Sequence, residues 1–177
     1  AVGSCIVPTL EGSRPVLVEV QALTSPTVAP VPRRTANGLD FSRLQLVSAV
    51  LSRRAGIPLA GQDIIASIVG GLRISDPAAD LALALAIASS HRDQPLPPDI
   101  VALGEIGLTG ELRSVSRLER RLLEAERLGF KRCILPETTL QRQRPRIGME
   151  LLPAASLKEA LKAVFTTQAG DSTLVAD

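Results

Sequence analysis

Apolar and polar positions alternate along the first part of the chain in the way that β-strands require. Ser4 to Pro8 and Pro15 to Leu23 show this alternation on either side of a turn at Glu11-Gly12-Ser13, and together they predict a β-hairpin. Residues 24–40 contain three prolines and a glycine. This composition predicts an exposed loop after the hairpin.

Two helices are predicted in the middle of the chain. Asp40 is the expected N-cap of the first, which shows apolar positions at helical spacing and stops at Gly56. The second begins with Asp76 and Pro77, a capping residue followed by a proline in the first turn. Its run from Leu81 to Ala88 is apolar throughout, which indicates burial on nearly all sides.

The remaining pattern alternates between short strands and helices. A strand is predicted from Asp63, and the later part of the chain contains further candidates. These are a strand, glycine turn and strand over 100–112, an amphipathic helix from Val115 to Leu128, short strands over 131–137 and 149–154, and a last helix over 156–165. Because strands and helices mix after an antiparallel hairpin, we expect an α+β or mixed α/β fold.

Length and composition indicate one domain. A chain of 177 residues with 45% apolar content can bury one sizeable core, which we expect over residues 1–165, with a flexible tail over residues 166–177. The chain starts at Ala1 and its one methionine is Met149, so we expect it to be part of a longer protein. The longest apolar run falls far short of the roughly 20 residues that span a bilayer. We therefore expect a soluble protein without a membrane partner.

Several kinds of chemistry find no support in the sequence. No GxxxxGK[ST] or GxGxxG motif occurs, so no nucleotide site is expected in this chain. Cys5 and Cys133 are far apart and His91 is alone, which predicts two reduced thiols and no metal site. A histidine-based triad would have to use His91, in a polar segment where a solvated histidine is commoner. A serine–lysine peptidase would need one of the three lysines, which the pattern places at the surface: Lys131, Lys158 and Lys162.

Arginine is concentrated in the second half of the chain. The net charge is only +2, but the 20 cations comprise 17 arginines and 3 lysines, and residues 113–132 hold seven cations and three anions. This balance predicts either a basic surface or a solvated helix face that its own glutamates partly neutralise. With three phenylalanines as the only aromatics, duplex DNA or a protein partner fits better than single strands. The arginines concerned are Arg117, Arg120, Arg121 and Arg127, followed by Arg142, Arg144 and Arg146.

Three long segments, residues 32–51, 70–90 and 104–132, closely resemble in order the C-terminal domain of the bacterial RadA (Sms) family of DNA-repair proteins. The resemblance runs from about Gly3 to Phe165. That domain is similar to the proteolytic domain of Lon and has the fold of the second domain of ribosomal protein S5. The implied fold is therefore α+β (mixed α/β), of the S5 domain 2 and Lon-like type.

The resemblance also implies a degenerate peptidase site. Lon has its catalytic serine in Asp-Gly-Pro-Ser-Ala-Gly, where this chain has Ser75 to Asp80 and places Ala78 at the serine position. Lon has its catalytic lysine in Gly-Gly-Leu-Lys, where this chain has Ser116 to Glu119 and places Glu119 at the lysine position. A methyl group cannot attack a carbonyl, so no peptidase activity is expected.

Members of this family place a four-cysteine zinc finger and a RecA-like ATPase before the domain, form hexameric rings and drive branch migration with ATP. The resemblance implies that this chain contributes duplex DNA binding and ring assembly, that ATP, magnesium and zinc belong upstream, and that other recombination and repair proteins are possible partners. It also implies a place in the bacterial cytoplasm, at the nucleoid. The DNA-binding candidates are Arg33 and Arg34 in a Pro-Arg-Arg loop, then Arg43, Arg117, Arg120, Arg121 and Arg127.

Two other functions remain open from the sequence. In the first, the domain is purely an oligomerisation scaffold, and its arginines pair with acidic surfaces of the next subunit. In the second, it is a residual hydrolase that uses another serine with Lys131.

Overall fold

A long antiparallel hairpin at the start of the chain forms the centre of the fold. The computed structural model describes residues 1–165, so the tail predicted over residues 166–177 lies outside the described residues. Strand β1 (Ser4–Glu11) pairs with β2 (Arg14–Pro26), and Glu11 is opposite Arg14. Gly12 adopts φ 63°, which the first position of this two-residue turn requires. The predicted hairpin is confirmed.

The hairpin belongs to a larger sheet, whose other strands are β3 (Arg34–Asn37), β4 (Gln62–Ile68), β5 (Ile100–Ala102), β8 (Arg132–Pro136) and β9 (Glu150–Ala154). A separate small hairpin consists of β6 (Glu105–Ile106) and β7 (Leu112–Arg113). The seven strands of the larger sheet have the order β3-β4-β2-β1-β5-β8-β9. The β1/β2 and β2/β4 pairs are antiparallel, and the other four neighbouring pairs are parallel. The predicted mixed α/β class is confirmed.

The helices cover the sheet and complete the core. They are α1 (Phe41–Arg54), α2 (Asp80–Arg92), α3 (Leu118–Arg127), α4 (Glu137–Arg142) and α5, described over 157–165. The predicted burial of the second helix is confirmed, because every residue of α2 from Asp80 to Ser89 is buried. Helix α2 packs on β1 and β2, and α1 packs on α2. No helix within residues 1–165 has the length and apolarity needed to cross a membrane.

Two predicted boundaries are wrong for tertiary reasons. The segment predicted to be a loop, residues 24–40, contains the edge strand β3, which pairs in parallel with β4. The guanidinium of Arg34, the first residue of β3, donates to the carbonyls of Gln62 and Leu59 and so fixes the strand to its neighbour. The helix expected from Val115 begins only at Leu118, because Arg117 has a left-handed backbone with φ 53°.

Candidate functional site

The turn that precedes α2 carries Ala78, the position compared with a catalytic serine. Asp76 accepts a hydrogen bond from the Ala78 amide at 3.0 Å, and Pro77 begins a single 3₁₀ turn, as the Asp-Pro pair predicts. The Ala78 carbonyl in turn accepts from Gly104 N at 2.9 Å. Ala78 is only 2% exposed. A side chain at this position therefore faces the protein interior.

Arg121 connects α3 to this turn. Its Nη1 atom donates to Asp76 Oδ2 at 2.7 Å and to the Pro8 carbonyl at 3.0 Å, and its Nε atom donates to the Ser116 carbonyl at 2.8 Å. Arg121 is 3% exposed. The prediction that Arg121 belongs to a basic surface or a solvated helix face is wrong, and a buried guanidinium group is not placed to contact DNA. Helical spacing could have predicted the burial of Arg121, because position 121 lies on the apolar face of α3, between Leu118 and Ala125.

Glu119, the position compared with a catalytic lysine, lies elsewhere on α3. Residues two apart on a helix are separated by about 200° around its axis. Glu119 is accordingly exposed, and its Oε1 atom accepts from Arg146 N at 2.6 Å. The structure thus brings α3 next to the turn of Ala78 through Arg121, while Glu119 binds the loop between α4 and β9.

A second arginine–aspartate pair lies just inside α2. Buried Asp80 accepts from Arg43 Nε at 3.1 Å and from Ile106 N at 3.1 Å, and it also contacts Arg43 Nη2. Burial raises the pKa of Asp80, although these bonds act in the opposite direction. Hydrogen bonding to Asp80 raises the pKa of Arg43. The adjoining cleft, with a cavity volume of about 30 Å³, has room for only one or two water molecules. The side chain of Arg43 lies beside it and is 30% exposed.

The other predicted DNA-binding arginines are placed as follows. Arg33 is exposed, whereas Arg34 is half-buried and bound to backbone carbonyls. Arg117 and Arg120 are exposed, and Arg120 donates to the Ser13 carbonyl at 2.8 Å. Arg127 is exposed and bonds Glu124 on the same helix at 2.5 and 3.1 Å. DNA contact by these exposed residues stays a prediction.

The fold adds arginines from two other segments to the exposed side of α3. Arg14 comes from the turn of the β1–β2 hairpin and shares a shallow groove with Glu124, Arg127 and Leu128. On the other side of α3, the loop after α4 is bonded to Glu119 and Glu126 through its backbone. We call the resulting set of exposed residues the arginine surface: Arg14, Arg117, Arg120, Arg127, Arg142, Arg144 and Arg146.

The residues considered for metal or nucleophilic chemistry do not converge. Cys5 and Cys133 are free and buried, and burial raises the pKa of Cys5 to about 12. A thiol needs deprotonation to bind a metal, so these cysteines are poor ligands. Within residues 1–165, no group of three or more His, Cys, Asp or Glu side chains is placed to hold a metal ion. The three lysines are exposed, as predicted: Lys131, Lys158 and Lys162.

Comparison with known proteins places this mixed α/β structure in a family. The family model described as "Subunit ChlI of Mg-chelatase" matches residues 36–139, which is more than half of the chain, and the chain belongs to this family. Curated proteins similar to this chain include several named DNA repair protein RadA. The one from Streptococcus pyogenes serotype M3 (strain ATCC BAA-595 / MGAS315) is 48% identical over 166 residues, which cover 94% of this chain and 37% of the relative.

Two further relatives carry the same name. RadA of Bacillus subtilis (strain 168) is 48% identical over 160 residues, 90% of this chain and 35% of the relative. RadA of Streptococcus pneumoniae (strain ATCC BAA-255 / R6) is 46% identical over 165 residues, 93% of this chain and 39% of the relative. The chain is therefore homologous to a part of these DNA repair proteins, and it spans little more than a third of their length.

Proposed function

We propose that this chain is a non-catalytic, Lon-like domain with the S5 domain 2-like fold in a RadA-type recombination and repair protein, and that it binds duplex DNA. The observation that carries the proposal is the arginine surface. It has seven exposed arginines on three segments, beside three carboxylates on α3. Arginine forks bind phosphate well and independently of base sequence. Homology to DNA repair proteins over 94% of the chain supports duplex DNA as the polyanion.

Arg117 gives the surface additional support. Its left-handed backbone, with φ 53°, favours glycine or asparagine and costs an arginine about 1 kcal/mol. Glycine is also what the compared Lon segment has there. An exposed arginine in an unfavourable backbone conformation is consistent with a role for its charge.

The absence of peptidase activity forms the second part of the proposal. Ala78 has no nucleophilic atom and is buried, and Glu119 binds a loop amide where a catalytic lysine would be needed. Casein incubated with the protein should remain intact, and so should casein incubated with an Ala78→Ser/Glu119→Lys variant, because a serine at position 78 would face the interior. Cleavage by the unaltered protein would refute this part.

Duplex binding is tested by fluorescence anisotropy across a salt series. The variant Arg117→Glu/Arg120→Glu/Arg127→Glu should abolish salt-sensitive binding, since each phosphate contact contributes about 0.9 to the slope of log K against log salt. Arg121 is left unchanged because it is buried. The matched control is Lys158→Glu/Lys162→Glu, which reverses exposed charges on α5. An equal loss in both variants would indicate a nonspecific charge effect, and no binding of duplex by the unaltered protein would refute the proposal.

A specific observation also favours a role in ring assembly. Leu23 and Ile65 are directly opposite each other on β2 and β4, and they are 60% and 46% exposed. They lie on the sheet face opposite to buried Ala22 and Ile64. Apolar side chains paired on an open sheet face suit a subunit contact. If this chain assembles, Leu23→Asp/Ile65→Asp should lower the mass measured by light scattering; an unchanged mass would exclude this face.

Under this proposal, ATP hydrolysis and the zinc and magnesium sites belong to other parts of the full-length protein. The free, buried cysteines of this chain do not suit zinc. Branch migration, a hexameric ring, contacts with recombinase or other repair proteins, and a place at the nucleoid of the bacterial cytoplasm are likewise proposed for the whole protein. Homology to proteins named DNA repair protein RadA supports a role of the whole protein in DNA repair.

A further inference from the structure

The loop between α4 and β9 carries much of the positive charge of the arginine surface. Together with Arg142, the last residue of α4, it reads Arg-Gln-Arg-Pro-Arg-Ile-Gly over residues 142–148, with every second residue an arginine up to Arg146. All three arginines are exposed. A loop of this kind pays an entropic cost when a ligand orders its side chains, unless something already holds the backbone.

Four hydrogen bonds, made by three side chains, hold this loop along α3. Glu119 Oε1 accepts from Arg146 N at 2.6 Å, and Glu126 Oε2 accepts from Gly148 N at 2.7 Å. Positions 119 and 126 are seven apart, so they lie on one side of the helix about 10 Å from each other along its axis. At the start of α3, Gln143 Oε1 accepts from Leu118 N at 2.9 Å and Gln143 Nε2 donates to the Val115 carbonyl at 2.9 Å.

The charge of Glu119 and Glu126 would by itself oppose a polyanion. Both carboxylates, however, bind backbone amides of the loop rather than an arginine side chain, so they fix its backbone and leave the guanidinium groups available. Glu124 differs from both, because it pairs with the side chain of Arg127. Three glutamates of one helix therefore have two different roles.

We propose that Glu119 and Glu126 are positioning residues for duplex DNA: they hold the α4–β9 loop so that Arg144 and Arg146 act together with the arginines of α3. This inference rests on the proposed function and adds how the surface is organised. It also gives Glu119 a role unrelated to peptidase chemistry. A phosphate backbone suits the arrangement better than an acidic protein does, because arginines of the β1–β2 turn and of α3 line open, shallow grooves, and the loop adds further exposed arginines on a segment bonded to α3.

The test compares three variants that each remove one carboxylate of α3 together with its hydrogen-bond acceptor. Anisotropy with a labelled duplex is measured for the 177-residue chain, for Glu119→Ala and Glu126→Ala separately, and for Glu124→Ala. The lost negative charge alone predicts tighter binding for all three variants. Positioning predicts that Glu119→Ala and Glu126→Ala each weaken binding by roughly threefold to tenfold, with a salt slope smaller by about 1, while Glu124→Ala tightens it.

Two further variants separate positioning from a general structural effect. In a background of Arg144→Ala/Arg146→Ala, the Glu119→Ala change should no longer weaken binding, because the arginines it acts through are gone. Gly148→Pro removes the amide that Glu126 accepts from and changes no charge, so it should weaken binding as well. Circular dichroism confirms that each variant is folded.

The outcomes distinguish this inference from the proposed function. If the unaltered chain binds duplex and Glu119→Ala binds as tightly as Glu124→Ala or more tightly, positioning is refuted while the proposed function stands. If the unaltered chain does not bind duplex at low salt, both fail. Binding of poly-glutamate without binding of duplex would assign the surface to an acidic protein partner and overturn the inference.

Discussion

Arg121 places a guanidinium group in the interior of the protein, beside the turn that precedes α2. Its hydrogen bonds reach two backbone carbonyls and the carboxylate of Asp76, and so join β1, α3 and the turn. A buried charge is tolerated when it is paired and hydrogen-bonded in this way. Reversing the charge of Arg121 would therefore report on folding rather than on DNA binding.

Arg121→Met is expected to lower the free energy of unfolding by about 3 kcal/mol, because the carboxylate of Asp76 loses its partner. Arg120→Met, one position along but exposed, should cost less than about 1 kcal/mol. Urea denaturation measures both. Asp76→Asn added to Arg121→Met should recover part of the loss, since it removes the unpaired charge and keeps an oxygen for the Ala78 amide. Similar losses for the two methionine variants would contradict a structural role for Arg121.

Individual elements differ in how much of their structure local sequence determines. Helix α2 was predictable because its Asp-Pro start and unbroken apolar run are local signals. Strand β3 has four residues, and its pairing with β4 depends on residues about 30 positions away, so no local pattern indicates it. The same limit applies to the candidate site. Helical spacing places Arg121 on the apolar face of α3, but only packing shows that its guanidinium group pairs with Asp76 and that Glu119 binds a distant loop.

The first turn of α3 depends on Gln143, which lies 25 positions further along the chain. Gln143→Ala should destabilise the protein by about 1 kcal/mol, comparable with loss of an N-cap, because it leaves Leu118 N without its acceptor. Gln143→Glu retains an acceptor for Leu118 N but loses the donor to the Val115 carbonyl, so its loss should be smaller. Urea denaturation measures stability, and hydrogen exchange at the Leu118 amide measures fraying. Unchanged exchange in Gln143→Ala would show that the helix starts without this cap.

At the scale of the whole molecule, the net charge is near zero although exposed arginines are concentrated around α3. The net charge is +2, yet folding brings exposed arginines of the β1–β2 turn and of the α4–β9 loop next to those of α3. Arg43 and Arg121 do not belong to the arginine surface, because they pair with Asp80 and Asp76 around the turn of Ala78. The fold therefore uses some arginines in buried or half-buried ion pairs and exposes others. This division explains why composition alone could not locate the proposed interface.

The core also determines the reactivity of the two cysteines. Cys5 on β1 and Cys133 on β8 are buried, and burial raises the pKa of both thiols, that of Cys5 to about 12. At pH 8 the thiolate fraction of Cys5 in the folded protein is then only on the order of one in ten thousand. Ellman's reagent should modify neither thiol until the protein unfolds, and both react in urea. Rapid labelling of the folded protein would contradict this burial.

The same pKa shift predicts how stability changes at high pH. The folded protein keeps the proton of Cys5 up to about pH 12, whereas an unfolded thiol loses it near pH 9. Between these values the unfolded state binds fewer protons, so the free energy of unfolding falls as pH rises above about 9. A Cys5→Ala/Cys133→Ala variant lacks both thiols and should show a shallower decline in urea denaturation from pH 8 to 10. Equal slopes for the two proteins would mean that the thiols are not linked to folding and that other groups govern the alkaline limit of stability.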